Sequence, residues 1–203
     1  MRRSYQKISL AALVAVATAG FSSAALAHVS VHAGDHSHMS LTEGLLHPFS
    51  GFDHVLAMVA VGLWASQLGR RALWLLPLTF PAVMALGAAL GMSGVVLPGV
   101  EIGIAGSVLV LGTVVALALR PSLAISVPLI GLFALLHGYS HGIELPASAS
   151  ALSYGAGFIA ATLVLHAIGI AIGLVAGRIP VRFAARTAGG AIAVLGVVLL
   201  VTL

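Results

Sequence analysis

Six times after residue 48 the sequence runs for 17 to 26 residues with at most one charged side chain in each run: over 49–68, 73–92, 100–119, 122–138, 151–176 and 184–202. Each run is close to the ~20 residues that an α-helix needs to cross a bilayer. Backbone polar groups in lipid must be satisfied within the segment, so these runs are helices and not strands. The connections between them are short. The expectation is an all-α integral membrane protein: one compact six-helix transmembrane bundle with no second domain.

Composition agrees. Charged residues make up 7% of the chain, hydrophobic residues 60%, and the mean hydropathy is +1.15, a balance that a soluble domain of this size does not carry. The pI of 10.4 does not indicate nucleic acid as a partner. Three of the nine basic residues (Arg2, Arg3, Lys7) lie in the first seven positions, and the others are arginines at segment ends, so the basicity is topological. Cysteine is absent, which excludes disulfides, thiolate metal sites and a cysteine nucleophile.

The N-terminus has the form of a cleavable signal peptide over 1–27. Arg2, Arg3 and Lys7 precede an apolar core from Ile8 to Ala19, and Ala25-Leu26-Ala27 supplies an A-x-A cleavage site that leaves His28 first. Residues 28–46 then form a short His-containing extracytoplasmic segment, and 47–203 the six-span domain. With the mature N-terminus outside, Arg70, Arg71, Arg120, Arg178, Arg182 and Arg186 all fall on the cytoplasmic side. Asp35, Glu43, Glu101 and Glu144 fall on the other side with no Lys or Arg, as the positive-inside rule requires.

Against that apolar background, HPFSGFDH (His47 to His54) puts two histidines and an aspartate where the first span begins. Pro48 suits the first turn of a helix, which sets His47 at the outer mouth and His54 about 10 Å deeper at ~1.5 Å per residue. Seven residues at ~100° each return nearly to the starting azimuth, so His47 and His54 are expected on one face, with Met58 a turn below His54 and Asp53 to the side. An ionisable residue inside a span costs roughly 2.5 to 3.5 kcal/mol and is a functional candidate by default.

The fourth run ends FALLHGYSHGIE, where His137, His141 and Glu144 lie at i, i+4 and i+7 on one face. By the topology this is also an outer end, so two clusters of histidine and carboxylate fall at one membrane depth. Glu101 enters the third run from the same side and can add an oxygen. His166, about fifteen residues into the fifth run, lies nearer the cytoplasmic half, where it can receive an ion passed inward. Imidazole and carboxylate without thiolate suit Ni, Co, Zn or Cu(II), and affinity order alone does not choose among them.

Plainer readings stand beside these. His166 is equally a histidine bonded to a neighbouring helix, and Glu101 and Glu144 can be loop-edge charges. Met58, Met84 and Met92 are more simply packing. In the tail HVSVHAGDHSH, His28, His32, His36 and His38 can capture metal or can belong to a plain solvated linker.

His47-Pro48, Gly51, Asp53-His54, Ala57-Met58 and Val61-Gly62, with Phe133-Ala134, His137-Gly138, His141-Gly142 and Glu144, resemble the HupE/UreJ family of small membrane proteins. LPGVEIGIAGSVLVLG (Leu97 to Gly112) is similar to that family's third segment. Tyr139 and Ser140 depart from the small residues common there. The resemblance covers essentially the whole mature chain. It implies a nickel permease of the bacterial inner membrane serving hydrogenase or urease maturation, with some relatives assigned to cobalt. The implied partners are a divalent ion and the bilayer, with Ni2+ or Co2+ as cargo and no tightly bound cofactor. The ligand roles it implies rest on His47, Asp53, His54, His137, His141 and Glu144.

No G-x-x-x-x-G-K-[ST] motif occurs and lysine is absent beyond Lys7, so ATP hydrolysis by this chain is not expected. Facilitated diffusion and ion coupling both stay open. The rival class is an intramembrane zinc-dependent hydrolase, with zinc on His54, His137 and His141 and with Asp53 or Glu144 activating water. The absence of H-E-x-x-H weighs against it. A haem protein with paired histidines is a weaker reading still.

Overall fold

A computed structural model describes residues 36–145, 149–178 and 183–203, with side chains described for 40–145, 149–176 and 183–203. The expected signal peptide, His28, His32 and Arg182 lie outside the described residues, as do the side chains of His36, His38 and Arg178.

The described residues are helical and contain no strand. In chain order the helices are α1 (His36–Ser50), α2 (Phe52–Leu68), α3 (Ala72–Met92), α4 (Val100–Ala116), α5 (Leu123–Glu144), α6 (Ala151–Arg178) and α7 (Ala184–Thr202). Each of the six apolar runs holds one helix. The seventh, α1, arises from the polar stretch expected to precede the first span. Helices α3, α5, α6 and α7 are each long and apolar enough to cross a membrane. The pair α1 and α2 meets that test jointly across an 82° bend, and α4 is a shorter apolar helix. These four or five candidate spans make the chain a multi-pass membrane protein. Helix α4 stops short of the expected end of its run because the chain turns left-handed at Ala118 (φ 52°), where Leu119 N–H donates to Val114 C=O at 2.9 Å.

The helices meet along glycine. A Cβ on Gly138 would lie 2.0 Å from the Met84 carbonyl oxygen, and one on Gly142 would lie 2.2 Å from that of Ala88, so α5 runs parallel to α3 with backbones in contact. Gly62 meets His166 and Gly169 meets Val59 in the same way, pairing α2 with α6 in parallel. Gly112 and Gly189 pair α4 with α7 antiparallel. In lipid, where burial of apolar surface gives little drive, such close approach gives helices their packing attraction. Trp64, Leu63, Phe80, Leu111 and Ile130 fill the space between the pairs with no exposed surface.

Polarity divides the bundle end from end. Trp64 Nε1 donates to Leu119 C=O at 3.0 Å, Gln67 Nε2 to Val115 C=O at 3.1 Å and Arg186 Nε to Ala116 C=O at 2.8 Å. These bonds gather the helix ends that carry Arg70, Arg71, Arg120 and Arg186. Both histidine motifs lie toward the opposite end.

One expectation is corrected. His47 and His54 do not share a face of one helix: Pro48 lies in the last turn of α1, and the first-span helix begins only at Phe52. Gly51 joins the two in an extended conformation (φ −95°, ψ 113°), and a Cβ there would come within 2.8 Å of His54 Nδ1 and 2.9 Å of Asp53 Oδ1. A side chain at the bend would therefore press on the Asp53–His54 pair. The proline removes an N–H from the final turn of α1, which loosens the helix where the chain must turn.

Candidate metal centre

The bend sets Asp53 in the first turn of α2 and His54 one residue on, both facing the last turns of α5. His54 Nδ1 lies 3.0 Å from Asp53 Oδ1, and His54 Nε2 lies 2.5 Å from His141 Nε2. Glu144 closes the outer side, with Oε2 at 3.5 Å from both His47 Nε2 and His141 Nδ1. His47, His141 and Glu144 each bring a ligand atom within 4.8 Å of the others, close enough to hold one ion among them. Deeper in, the His137 ring packs edge-on to that of His54 with centroids 4.7 Å apart.

Proton positions follow from the partners. A carboxylate only accepts, so Asp53 draws the His54 proton to Nδ1 and leaves Nε2 as a bare lone pair. His141 Nδ1, by contrast, lies 3.5 Å from Glu144 Oε2 and has no hydrogen-bond partner among the described residues. His54 Nε2 can therefore only accept at this contact, so the proton between the rings sits on His141 Nε2 and leaves His141 Nδ1 bare toward Glu144 and His47. His137 is set by a different device. Ser107 Oγ donates to Ile104 C=O at 2.6 Å, so at 2.9 Å from His137 Nε2 it must accept, and the proton sits on Nε2. His137 Nδ1 is left bare and buried, without a partner among the described residues.

Burial deepens along the series: Glu144 is half exposed and His47 one-third, His141 and His54 are nearly covered, and His137 is fully enclosed. A cavity of about 400 Å3 opens over the outer members, walled by His47, Asp53, His54, Glu101, His141 and Glu144. Neutral imidazoles and carboxylates converging on such a cavity can strip water from a borderline divalent cation and exchange it for nitrogen and oxygen ligands.

All six residues of the two motifs meet here. Glu101 reaches the cavity wall from α4 but is not among the three closest ligand groups. Met58 is fully buried in the apolar core, and so is Met84 almost entirely, while Met92 is half exposed. His166 stands apart from the cavity, fully buried against Phe80.

Several contributors escape a reading of the motifs. Phe158 of α6 lies 4.3 Å, ring centre to ring centre, from His141, and Tyr154 lies 5.7 Å from His47, so a helix with no motif of its own forms the apolar wall of the site. Ser140 Oγ donates to Glu144 Oε1 at 3.0 Å and orients it. Tyr139, the other departure from the family pattern, donates to Val95 C=O at 2.6 Å and accepts from Leu97 N–H at 2.8 Å, pinning the loop after α3. Ser107 carried a faint signal, a hydroxyl in an otherwise apolar run.

The family described as HupE / UreJ protein matches residues 15–199 of the chain. The chain is 45% identical to Protein HupE of Rhizobium leguminosarum bv. viciae over 197 residues, covering 97% of this chain and 98% of that relative. No solved structure matches it.

Proposed function

The chain belongs to the HupE/UreJ family, whose members are membrane transport and accessory proteins and not enzymes, and on that premise we propose that it is a nickel permease. It carries Ni2+ from the periplasm across the bacterial inner membrane to the cytoplasm, where the ion supplies hydrogenase or urease maturation; cobalt is the alternative cargo. A cleaved signal peptide, six spans and an extracytoplasmic mature N-terminus complete this reading.

One observation carries it above the others: histidines and carboxylates from α1, α2 and α5 converge on a single cavity and then continue inward as His54 and His137. A resident structural metal favours a closed ligand set, whereas this series is open at one end and graded in depth, as a moving ion requires. In the proposed mechanism the hydrated ion enters at Glu144, His47 and His141 and exchanges water for imidazole. It then passes to His54 Nε2, replacing the hydrogen bond from His141, and on toward His137 Nδ1. Asp53 and Ser107 keep one ring nitrogen of His54 and of His137 free of protons. Only neutral imidazole ligates, so acid competes with the ion. Initial uptake is therefore expected to fall as the outside pH drops through the range where imidazole protonates, and to recover on return to neutrality.

The test is accumulation of radioactive nickel in a nickel-limited host carrying the intact chain, the empty vector, or the His54→Ala or His137→Ala variant, with cobalt and zinc as competitors. Uptake above vector that is lost in both variants supports one path through both motifs. An intact, well-expressed chain that accumulates no more than vector refutes nickel import.

A further inference from the structure

His166 has no place in the outer series, and its surroundings explain neither its burial nor its chemistry as packing. It is 1% exposed in an otherwise apolar stretch of α6, and neither ring nitrogen has a hydrogen-bond partner among the described residues. One helical turn earlier on the same face, Thr162 is fully buried, and its hydroxyl also lacks a partner among the described residues. A histidine that serves as glue between helices is bonded to its neighbour, and this one is bonded to nothing among the described residues. Leaving such groups unsatisfied is costly, and apolar residues at both positions would avoid that cost.

The depth of His166 is fixed by backbone contact. A Cβ on Gly62 would meet the His166 carbonyl oxygen at 2.2 Å, and Gly62 lies eight residues beyond His54 on α2, about 12 Å at ~1.5 Å per residue. Between the outer series and His166 stands the ring of Phe80, with its centre 5.8 Å from that of His137 and 5.3 Å from that of His166, edge to face with the latter. Phe80 lies between Pro77 and Pro81 in α3. The two prolines remove N–H donors on either side of it, so that turn of α3 is held by fewer backbone bonds than a regular helix.

From these contacts we infer that His166, with the Thr162 hydroxyl beside it, is an inner coordination station for a borderline divalent cation, and that Phe80 partitions it from the outer histidines. This rests on the permease reading for the identity of the cation as cargo. The ion leaves His137 Nδ1, passes the Phe80 ring where α3 is loosened, and is received by an imidazole nitrogen that has no competing partner.

The chain contains no cysteine, so a His166→Cys variant carries a single thiol. With the full-length protein purified in detergent, nickel is expected to bind that sulfur as thiolate, releasing the thiol proton to solvent and producing a thiolate-to-nickel charge-transfer absorption that the wild-type chain lacks. In cells, His166→Leu is expected to leave nickel binding at the outer centre unchanged and to lower accumulation at least ~10-fold. A folded His166→Cys protein that binds nickel at the outer centre without the new absorption overturns the inference, and so does a His166→Leu chain that accumulates nickel at the wild-type rate. If His166→Leu does not fold, the absorption of the cysteine variant decides. If the absorption forms but the wild-type chain accumulates no nickel, the inner site stands and the permease reading falls.

Discussion

At the scale of single residues, the chemistry of the centre lies in which nitrogen of each histidine holds the proton. Asp53 fixes His54 through Nδ1, and Ser107 fixes His137 through Nε2 because its own hydrogen is committed to Ile104. Asp53→Asn preserves size yet puts an amide where a carboxylate accepted the proton, so His54 is no longer held in one tautomer. The expected result is a 10- to 100-fold loss of nickel affinity with unchanged protein level, measured by nickel titration of the purified chain. An Asp53→Asn protein that binds nickel like the wild type would show that the carboxylate does not set the tautomer.

Among the elements, the bend between α1 and α2 and the glycine contact between α3 and α5 decide where the motifs stand. Gly51→Ala adds a Cβ into the space of the Asp53–His54 pair. Helical content by circular dichroism is expected to stay constant while nickel uptake falls, because the added methyl disturbs the pair and not the helices. Uptake at the wild-type level would mean that the bend tolerates a side chain. Gly142→Val works on packing instead: its Cβ would lie 2.2 Å from the Ala88 carbonyl, forcing α5 away from α3. Overpacking of this kind costs ~1 to 3 kcal/mol, and a lower midpoint of thermal unfolding in detergent is the expected readout. An unchanged midpoint would remove the backbone contact as a source of stability.

The bundle as a whole has an arginine end and a histidine end, and the permease reading requires the first to face the cytoplasm. Because the chain has no cysteine, single substitutions report sidedness directly. A membrane-impermeant thiol reagent added outside the inner membrane is expected to label Ser93→Cys, in the exposed loop after α3, and to leave Arg120→Cys unlabelled until the membrane is opened. The reverse pattern would invert the bundle and make the outer cavity an exit.

How much of this was legible beforehand differs from motif to motif. The helical class follows from six apolar runs, because lipid offers the backbone no other partner. The i, i+4, i+7 spacing of His137, His141 and Glu144 survives in the structure because all three lie on the single helix α5. The corresponding inference for His47 and His54 rested on one continuous helix, and it failed where Gly51 and Pro48 turn the chain through 82°. Their common position comes instead from separate contacts: His47 with Glu144, and His54 with His141. Local sequence therefore determined which residues could ligate and that the chain belongs in a membrane, since both depend on side-chain chemistry and on runs within one segment. Only the tertiary structure decided that Phe158 walls the site, that Ser107 sets the His137 tautomer and that the Phe80 ring packs against both His137 and His166. Each of these is a contact between helices far apart in sequence, fixed by where glycine lets two backbones touch.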